Sequence, residues 1–295
     1  MFPTIGNEYS IEEIEKIFNT KFGTSPKGIN PRKGKDKDYL LLFSRAKSHY
    51  PNRIENDILY YIGEGKDPLK DQIMTRGNKR LANSEKDNRV IYGFAQEKDK
   101  KNFKYIGILK LLGFSEKLND NEAKIFEFYI KLMGINSYEE IESEIKDIKS
   151  ISTTENPSLT QKSILSSTTR KARSYAFSKI VKSSFEYKCA VCKKQRRNKK
   201  GHYEVEAAHI YPKEKNGSDD PRNGLALCKL HHWAFDNGLF TLDDDYSVLV
   251  ADWIKKDVNY KEIYEYEHHK IKIPKNERLK PHLDFIKAHR ELHGF

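Results

Sequence analysis

Cysteine is scarce in this chain: there are 3 in 295 residues, all between positions 189 and 228. That leaves nothing for a disulfide framework and fits a reducing cytoplasm, where clustered Cys and His usually mean a metal. Long apolar runs are missing too. None approaches the length of a membrane span, and Met1-Phe-Pro-Thr-Ile-Gly6 has neither the basic nor the apolar stretch of a secretion signal. A soluble, cytoplasmic protein with no membrane partner is therefore expected. No internal repeat is found, which removes solenoid architectures. Acidic residues fall short of basic ones, 43 against 54, for a formal net charge of +11. Such an excess favours a polyanion, with nucleic acid the obvious one, because neutralised phosphates release counterions. Lysine-rich compositions give similar totals in proteins that never touch DNA, so the motifs must decide.

The cysteines are spaced informatively. Cys189-Ala-Val-Cys192 and Cys228-Lys-Leu-His231 are two ligand pairs of the kind that close a tetrahedral zinc site from two tight turns. Taken alone, such a site is more often a structural knuckle than part of an enzyme. Interleaved with it is a second group: His209 within Glu206-Ala-Ala-His209-Ile-Tyr-Pro212, then Asn223, His232 and Asp236. These are the wrong residues, and too many, for the same zinc. Asp236 lies one helical turn beyond His232, on the same face.

This order resembles the HNH endonucleases with a ββα-metal core, in their zinc-stabilised restriction-enzyme form. The resemblance implies that His209 is the general base, Asn223 the central Asn that orients it, and His232 a ligand of the catalytic metal, with Asp236 as a second ligand. The chemistry needs such a set. Phosphodiester hydrolysis requires a base near neutrality and a hard cation, Mg²⁺ or Mn²⁺, on the scissile phosphate. The family usually has a metal ligand directly before the base, where this chain has Ala208. Either His232 and Asp236 hold the ion with water and phosphate alone, or Glu206 reaches in from the same strand face.

Taken in order, Ser10-Ile-Glu-Glu-Ile-Glu-Lys-Ile-Phe18 predicts a short helix with Ser10 as N-cap and Glu13 closing a capping box. Positions 23–37 read as a surface loop rich in Gly, Pro and Lys. Positions 39–43, 58–62, 90–94 and 105–112 read as strands. From 115 to 150 the spacing of Ile125, Phe126, Phe128, Tyr129 and Leu132, and then of Ile141, Ile145 and Ile148, predicts helix. Positions 150–169 turn rich in Ser and Thr and read as a linker. An amphipathic helix is predicted over 170–187, and a β-hairpin beyond the core near 239–251. Lys193, Lys194, Arg196, Arg197, Lys199 and Lys200 form a basic loop that suits phosphate contact.

Within the first 114 residues several phrases recur in a recognisable order: Tyr60-Tyr61-Ile-Gly63-Glu-Gly65, Asp71-Gln72, Gly77-Asn78-Lys79-Arg-Leu81-Ala82, Val90-Ile-Tyr-Gly93 and Phe103-Lys-Tyr105-Ile-Gly107. That order resembles the SRA (SET- and RING-associated) domain, over about 60 residues. The resemblance implies a curved, barrel-like β module that flips a modified cytosine out of the duplex and holds it in a pocket. Tyr61 matches the stacking aromatic. Asp57 is one candidate for the acceptor of the exocyclic amine and Glu55 is another. Ile62 and Ile106 depart from the Thr and Asp of the family phrases. Tyr60, Tyr92 and Tyr105 read as core.

The expectation is an α+β chain: an SRA-like recognition domain over 1–114, a helical connector and linker over 115–168, and a zinc-stabilised HNH domain over 169–295. Together these imply a type IV, modification-dependent DNA endonuclease with a structural Zn²⁺ and a catalytic Mg²⁺ or Mn²⁺. Its partner would be double-stranded DNA carrying a modified cytosine. One HNH site cuts one strand, so a double-strand break implies a homodimer or two encounters. The rival readings are a type II enzyme reading unmodified sequence and a non-cleaving zinc-stabilised DNA-binding protein.

Overall fold

The computed structural model describes residues 2–295 apart from 24, 36, 47, 49–51, 153–155, 162–164 and 199–200. The chain divides into two compact units, Met1–Glu140 and Ile141–Phe295. Among the described residues no helix is long and apolar enough to cross a membrane.

The first unit is built on a sheet. After strand β1 (Glu8–Tyr9) comes helix α1 (Ile11–Ile17), which starts where the capping box predicts. Ser10 Oγ accepts from Glu13 N at 3.2 Å, and Ser10 N donates to Glu13 Oε2 at 2.7 Å. Strands β2 (Ile29–Arg32), β3 (Tyr39–Ser44), β4 (Arg53–Glu55) and β5 (Ile58–Ile62) follow, then helix α2 (Arg76–Ala82) and strands β6 (Val90–Ala95), β7 (Phe103–Leu118) and β8 (Lys124–Leu132). The order across the sheet is β2-β3-β6-β7-β8-β5-β4, with β1 paired to β7. β3 pairs parallel with β6, the long connection between them carrying β4, β5 and α2, and the other pairs described in that order are antiparallel. Leu40, Leu59, Leu81, Phe128 and Ile130 meet in its core, while Tyr92 and Tyr105 are buried as expected.

Two expectations for this unit fail. The loop predicted over 23–37 contains β2, whose Ile29 and Asn30 are buried against β3. The helix predicted from 115 is strand as far as Leu132, since β7 and β8 pair from Leu109↔Leu132 to Leu118↔Lys124. Here Ile125, Phe126, Phe128 and Ile130 are all buried, on both faces of the strand. A strand covered on both faces loses its alternation and can imitate helical spacing. Glu127, in the same run, is buried too and is neutralised by Arg53 at 2.9 Å and by Lys117.

Helix α3 (Tyr138–Ile151) starts in the first unit and ends in the second. The second unit continues with helix α4 (Ser167–Ser184), strands β9 (Glu206–His209) and β10 (Gly224–Leu227), helix α5 (Lys229–Asp236), the hairpin β11 (Phe240–Leu242) and β12 (Val248–Val250), and helices α6 (Lys261–Tyr264) and α7 (Leu283–His293). Phe177 and Val181 of α4, Leu225 and Leu227 of β10, Phe235 of α5 and Phe285 of α7 share one core. β9 and β10 pair antiparallel with His209 opposite Gly224. A Cβ at position 224 would lie 2.4 Å from Val181 Cγ2, so only glycine lets α4 pack against the hairpin there.

Candidate active site and metal centre

Cys189, Cys192, Cys228 and His231 converge. Their ligand atoms all lie within 4.8 Å of one another, and His231 Nδ1 is 3.0 Å from Cys228 Sγ. His231 is buried, and its Nε2 has no hydrogen-bond partner among the described residues. An imidazole that ligates through Nδ1 must carry its proton on the other nitrogen, so this arrangement suits a ring turned towards a cation among the sulfurs. Hydrogen bonds from Cys189 and Cys228 hold the Cys192 thiol far below its ordinary range. Three sulfurs and one imidazole nitrogen form the soft, four-point donor set that a metal such as zinc takes.

Beside this cluster, β9, β10 and α5 form a ββα unit. Period-two alternation puts Glu206 and Ala208 on one face of β9. Ala208 is fully buried, and Glu206 Oε2 lies 2.8 Å from His232 Nδ1 on α5. Of the two arrangements that Ala208 leaves open, the structure thus brings Glu206 to His232. On the other side of the ring, His232 Nε2 is 3.4 Å from Asp236 Oδ2. Burial raises the Asp236 carboxyl above its ordinary range; His232 and His209 oppose that rise and Glu214 adds to it. The imidazoles of strand and helix therefore act on one carboxylate.

His209 itself lies flat on Phe177, with ring centroids 4.0 Å apart and planes 9° from parallel. Its Nε2 is 3.1 Å from Asp219 Oδ1. Among the described residues no hydrogen bond joins it to the Asn223 side chain. The Asn223 side chain accepts from Tyr211 N at 2.7 Å and donates to Tyr211 O at 3.1 Å and Ser218 O at 2.8 Å, closing the loop that follows β9. That loop is polar in composition, yet Ser218, Asp219, Asp220 and Asn223 are buried. Asp219 is the residue that sequence reasoning missed. A run of Ser-Asp-Asp-Pro looks like any turn, and its one legible signal is that it ends one residue before Asn223-Gly224.

Of the basic loop, Lys193 and Lys194 are exposed, Arg196 pairs with Glu204 at 3.1 Å, and Arg197 lies 4.2 Å from the Tyr203 ring centroid. Lys199 and Lys200 lie outside the described residues.

In the first unit, the structure does not bring Tyr61 and Asp57 together. Asp57 is exposed at the tip of the β4–β5 hairpin with φ of 61°, while Tyr61 is buried in the core four strand positions away, about 13 Å along the chain. A turn position presents its side chain to solvent, which is why Asp57 stands apart from the buried Tyr61. What does converge is the next turn. Gln72 donates to Gly63 O at 2.7 Å, and Asn78 accepts from Glu64 N at 2.8 Å and returns a bond to Glu64 O at 2.9 Å. The Glu64 carboxylate accepts from Ile29 N at 2.7 Å, and burial raises its pKa. The hydroxyl of Tyr61 closes against Gly28, where a Cβ would come within 2.3 Å.

Residues 189–243 match the family model described as HNH endonuclease, and residues 6–140 match the model described as the ScoMcrA-like SRA domain. The chain joins an SRA domain to an HNH endonuclease domain. Among solved structures, one described as a modification-dependent TagI restriction endonuclease is similar over 99% of this chain and 93% of its own, with TM-score 0.56 and 20% identity, which shows a shared fold. The SUVH5 SRA domain in complex with fully methylated CG DNA is similar over 43% of this chain and 88% of its own, with TM-score 0.36 and 22% identity. No curated protein matches the chain. The SRA domain thus spans β1 to β8 and the HNH domain spans the metal cluster and the ββα unit, which makes this an endonuclease that acts on DNA.

Proposed function

We propose that the SRA domain recognises a modified cytosine in double-stranded DNA and that the HNH domain hydrolyses a nearby phosphodiester. The observation that supports the catalytic half is the ββα unit, in which Glu206 of the strand and His232 and Asp236 of the helix form a carboxylate–imidazole–carboxylate row, with His209 on the same strand as Glu206. With a cation on Nε2, the atom that faces Asp236, His232 would carry its proton on Nδ1 and donate it to Glu206. Two electron-rich atoms 3.4 Å apart suit a hard cation between them. Glu206 then orients His232 in the way that partners of metal-binding histidines do. A divalent ion bound there, Mg²⁺ or Mn²⁺, would supply positive charge at the scissile phosphate. His209 takes a proton from the attacking water as its oxygen bonds to phosphorus, the bond from phosphorus to the ester oxygen breaks, and that oxygen, which stays on the cut strand, takes a proton from solvent. Zn²⁺ in the sulfur cluster would hold the hairpin and α5 together and take no part in the reaction.

The TagI structure is described as modification-dependent, and we carry that dependence to this chain with the match of residues 6–140. Tyr61 and the clamped Gly63–Glu64 turn are our assignment for the base pocket, and the exposed Lys193 and Lys194 for backbone contact. A single HNH centre cuts one strand, so a double-strand break requires a second copy or a second encounter. The burial of Tyr61 favours one alternative, a type II enzyme whose N-terminal unit reads unmodified sequence through the grooves. The test is nicking of a methylated supercoiled plasmid in Mg²⁺ or Mn²⁺, with the unmethylated plasmid beside it. Nicking that EDTA stops and that His209→Ala removes without loss of DNA binding supports the catalytic reading. A metal-independent nick, or one that survives in His209→Ala, rejects it.

A further inference from the structure

His209 needs a partner to act as a base, and the residue expected to orient it is occupied elsewhere: Asn223 spends its side chain on Tyr211 and Ser218. The group that meets the imidazole is Asp219, buried, with Oδ1 3.1 Å from Nε2. Burial works against its charge, but His209 and Lys213 outweigh that and hold its pKa at about 2. An ionised carboxylate can only accept. The proton between the two groups therefore sits on Nε2, and whenever the ring carries one proton its lone pair is on Nδ1.

We infer that Asp219 is the positioning residue of the base: it fixes His209 as the Nε2–H tautomer and leaves Nδ1 to take the proton from water. The inference rests on the reading of His209 as general base. It has the same logic as the carboxylate that holds the imidazole of a serine hydrolase triad in its working tautomer. The surroundings keep Asp219 in place. Its other oxygen, Oδ2, is met by Arg173 Nε at 3.0 Å and Lys213 Nζ at 2.7 Å, and Arg173 is bonded in turn to Glu144 at 2.9 Å. The two acids and two bases of this chain of ion pairs balance in formal charge. Phe177 fixes the plane of the ring and Asp219 fixes its rotation within that plane.

The donor order makes the role testable. In Asp219→Asn the two cations at the Oδ2 position can be met only by the amide oxygen, so the amide nitrogen faces His209 Nε2. A donor there needs the ring's lone pair, and the ring proton is driven to Nδ1, the atom that should act as base. The side chain keeps its size.

The experiment uses the full chain labelled with ¹⁵N-histidine, and proton–nitrogen correlation spectra recorded where the rings are neutral; the His209 signals are assigned by their loss in His209→Gln. The expected result is Nε2–H in the parent and Nδ1–H in Asp219→Asn, with kcat for nicking at least about 100-fold lower and the Kd for DNA unchanged. A purely structural role would not move the tautomer. An Nδ1–H signal in the parent, or an Asp219→Asn variant that nicks at the parent rate, overturns the inference. Should that variant fail to fold, the parent spectrum alone decides. Failure of the underlying reading shows differently, as nicking that persists in His209→Ala whatever the tautomer.

Discussion

The segments 206–236 and 61–78 are both motif-bearing parts of the chain, but they use their residues differently. In the first, side chains turn towards one another: Glu206 to His232, His232 to Asp236, His209 to Asp219, His231 to Cys228. In the second, the motif residues hold main chain. Gln72 and Asn78 bond the backbone of Gly63 and Glu64, Gly28 makes room for Tyr61, and Tyr61 packs in the core. Metal and proton chemistry needs donor atoms at fixed spacing, which leaves a trace in sequence. A pocket for a flat base is shaped by backbone, and the residues that shape it need not be the ones that touch it.

The sharpest break between the two units should come from metal removal. Among the described residues the only cluster fit for an ion of this kind is in the second unit. Chelation, or Cys228→Ser, should unfold residues 141–295 with a loss of several kcal/mol and leave the melting of the first unit in place. Differential scanning calorimetry with and without chelator checks this, and a Cys228→Ser protein that melts like its parent contradicts the zinc assignment.

Next in size is the base. His209→Ala should slow nicking by roughly 10²–10⁴-fold without changing DNA affinity, measured by single-turnover kinetics beside a binding titration. In the second unit it is the spacing of the cluster that was legible. Cys189, Cys192, Cys228 and His231 meet as their spacing requires, and His232 and Asp236 fall one turn apart on α5. Asp219 was hidden because its effect depends on Arg173, Lys213 and Glu144, which come from distant positions in the chain. In the first unit the capping box of α1 and the positions of β3, β5 and β6 were legible, since each is a local pattern. β8 was not, because Glu127 and its apolar neighbours are buried on both faces and only tertiary pairing with Arg53 and Lys117 makes that tolerable.

Tyr61 offers a sharper comparison through two substitutions. Tyr61→Ala removes a buried ring and should cost about 3–5 kcal/mol in the first unit, with preference for modified DNA lost alongside. Tyr61→Phe keeps the packing, so its stability should stay near the parent. If Tyr61→Phe also loses the preference, the hydroxyl reads the base; if both variants keep it, the pocket lies elsewhere. Paired melting and cleavage assays separate these outcomes.

The smallest effect belongs to the basic loop. Lys193→Ala and Lys194→Ala should each weaken binding equally for modified and unmodified DNA and lower the slope of log K against log salt by about 1. A change in selectivity would mean that these lysines do more than hold the backbone.

The central claim, that one unit chooses the base and the other cuts, is tested most directly by cleavage of one DNA fragment prepared with cytosine, 5-methylcytosine, 5-hydroxymethylcytosine or its glucosylated form. Each would be digested with Mg²⁺, with Mn²⁺ and with EDTA. The account predicts metal-dependent cutting of at least one modified form and none of the unmodified fragment. Equal cutting of all four would contradict it and make the N-terminal unit a reader of unmodified sequence.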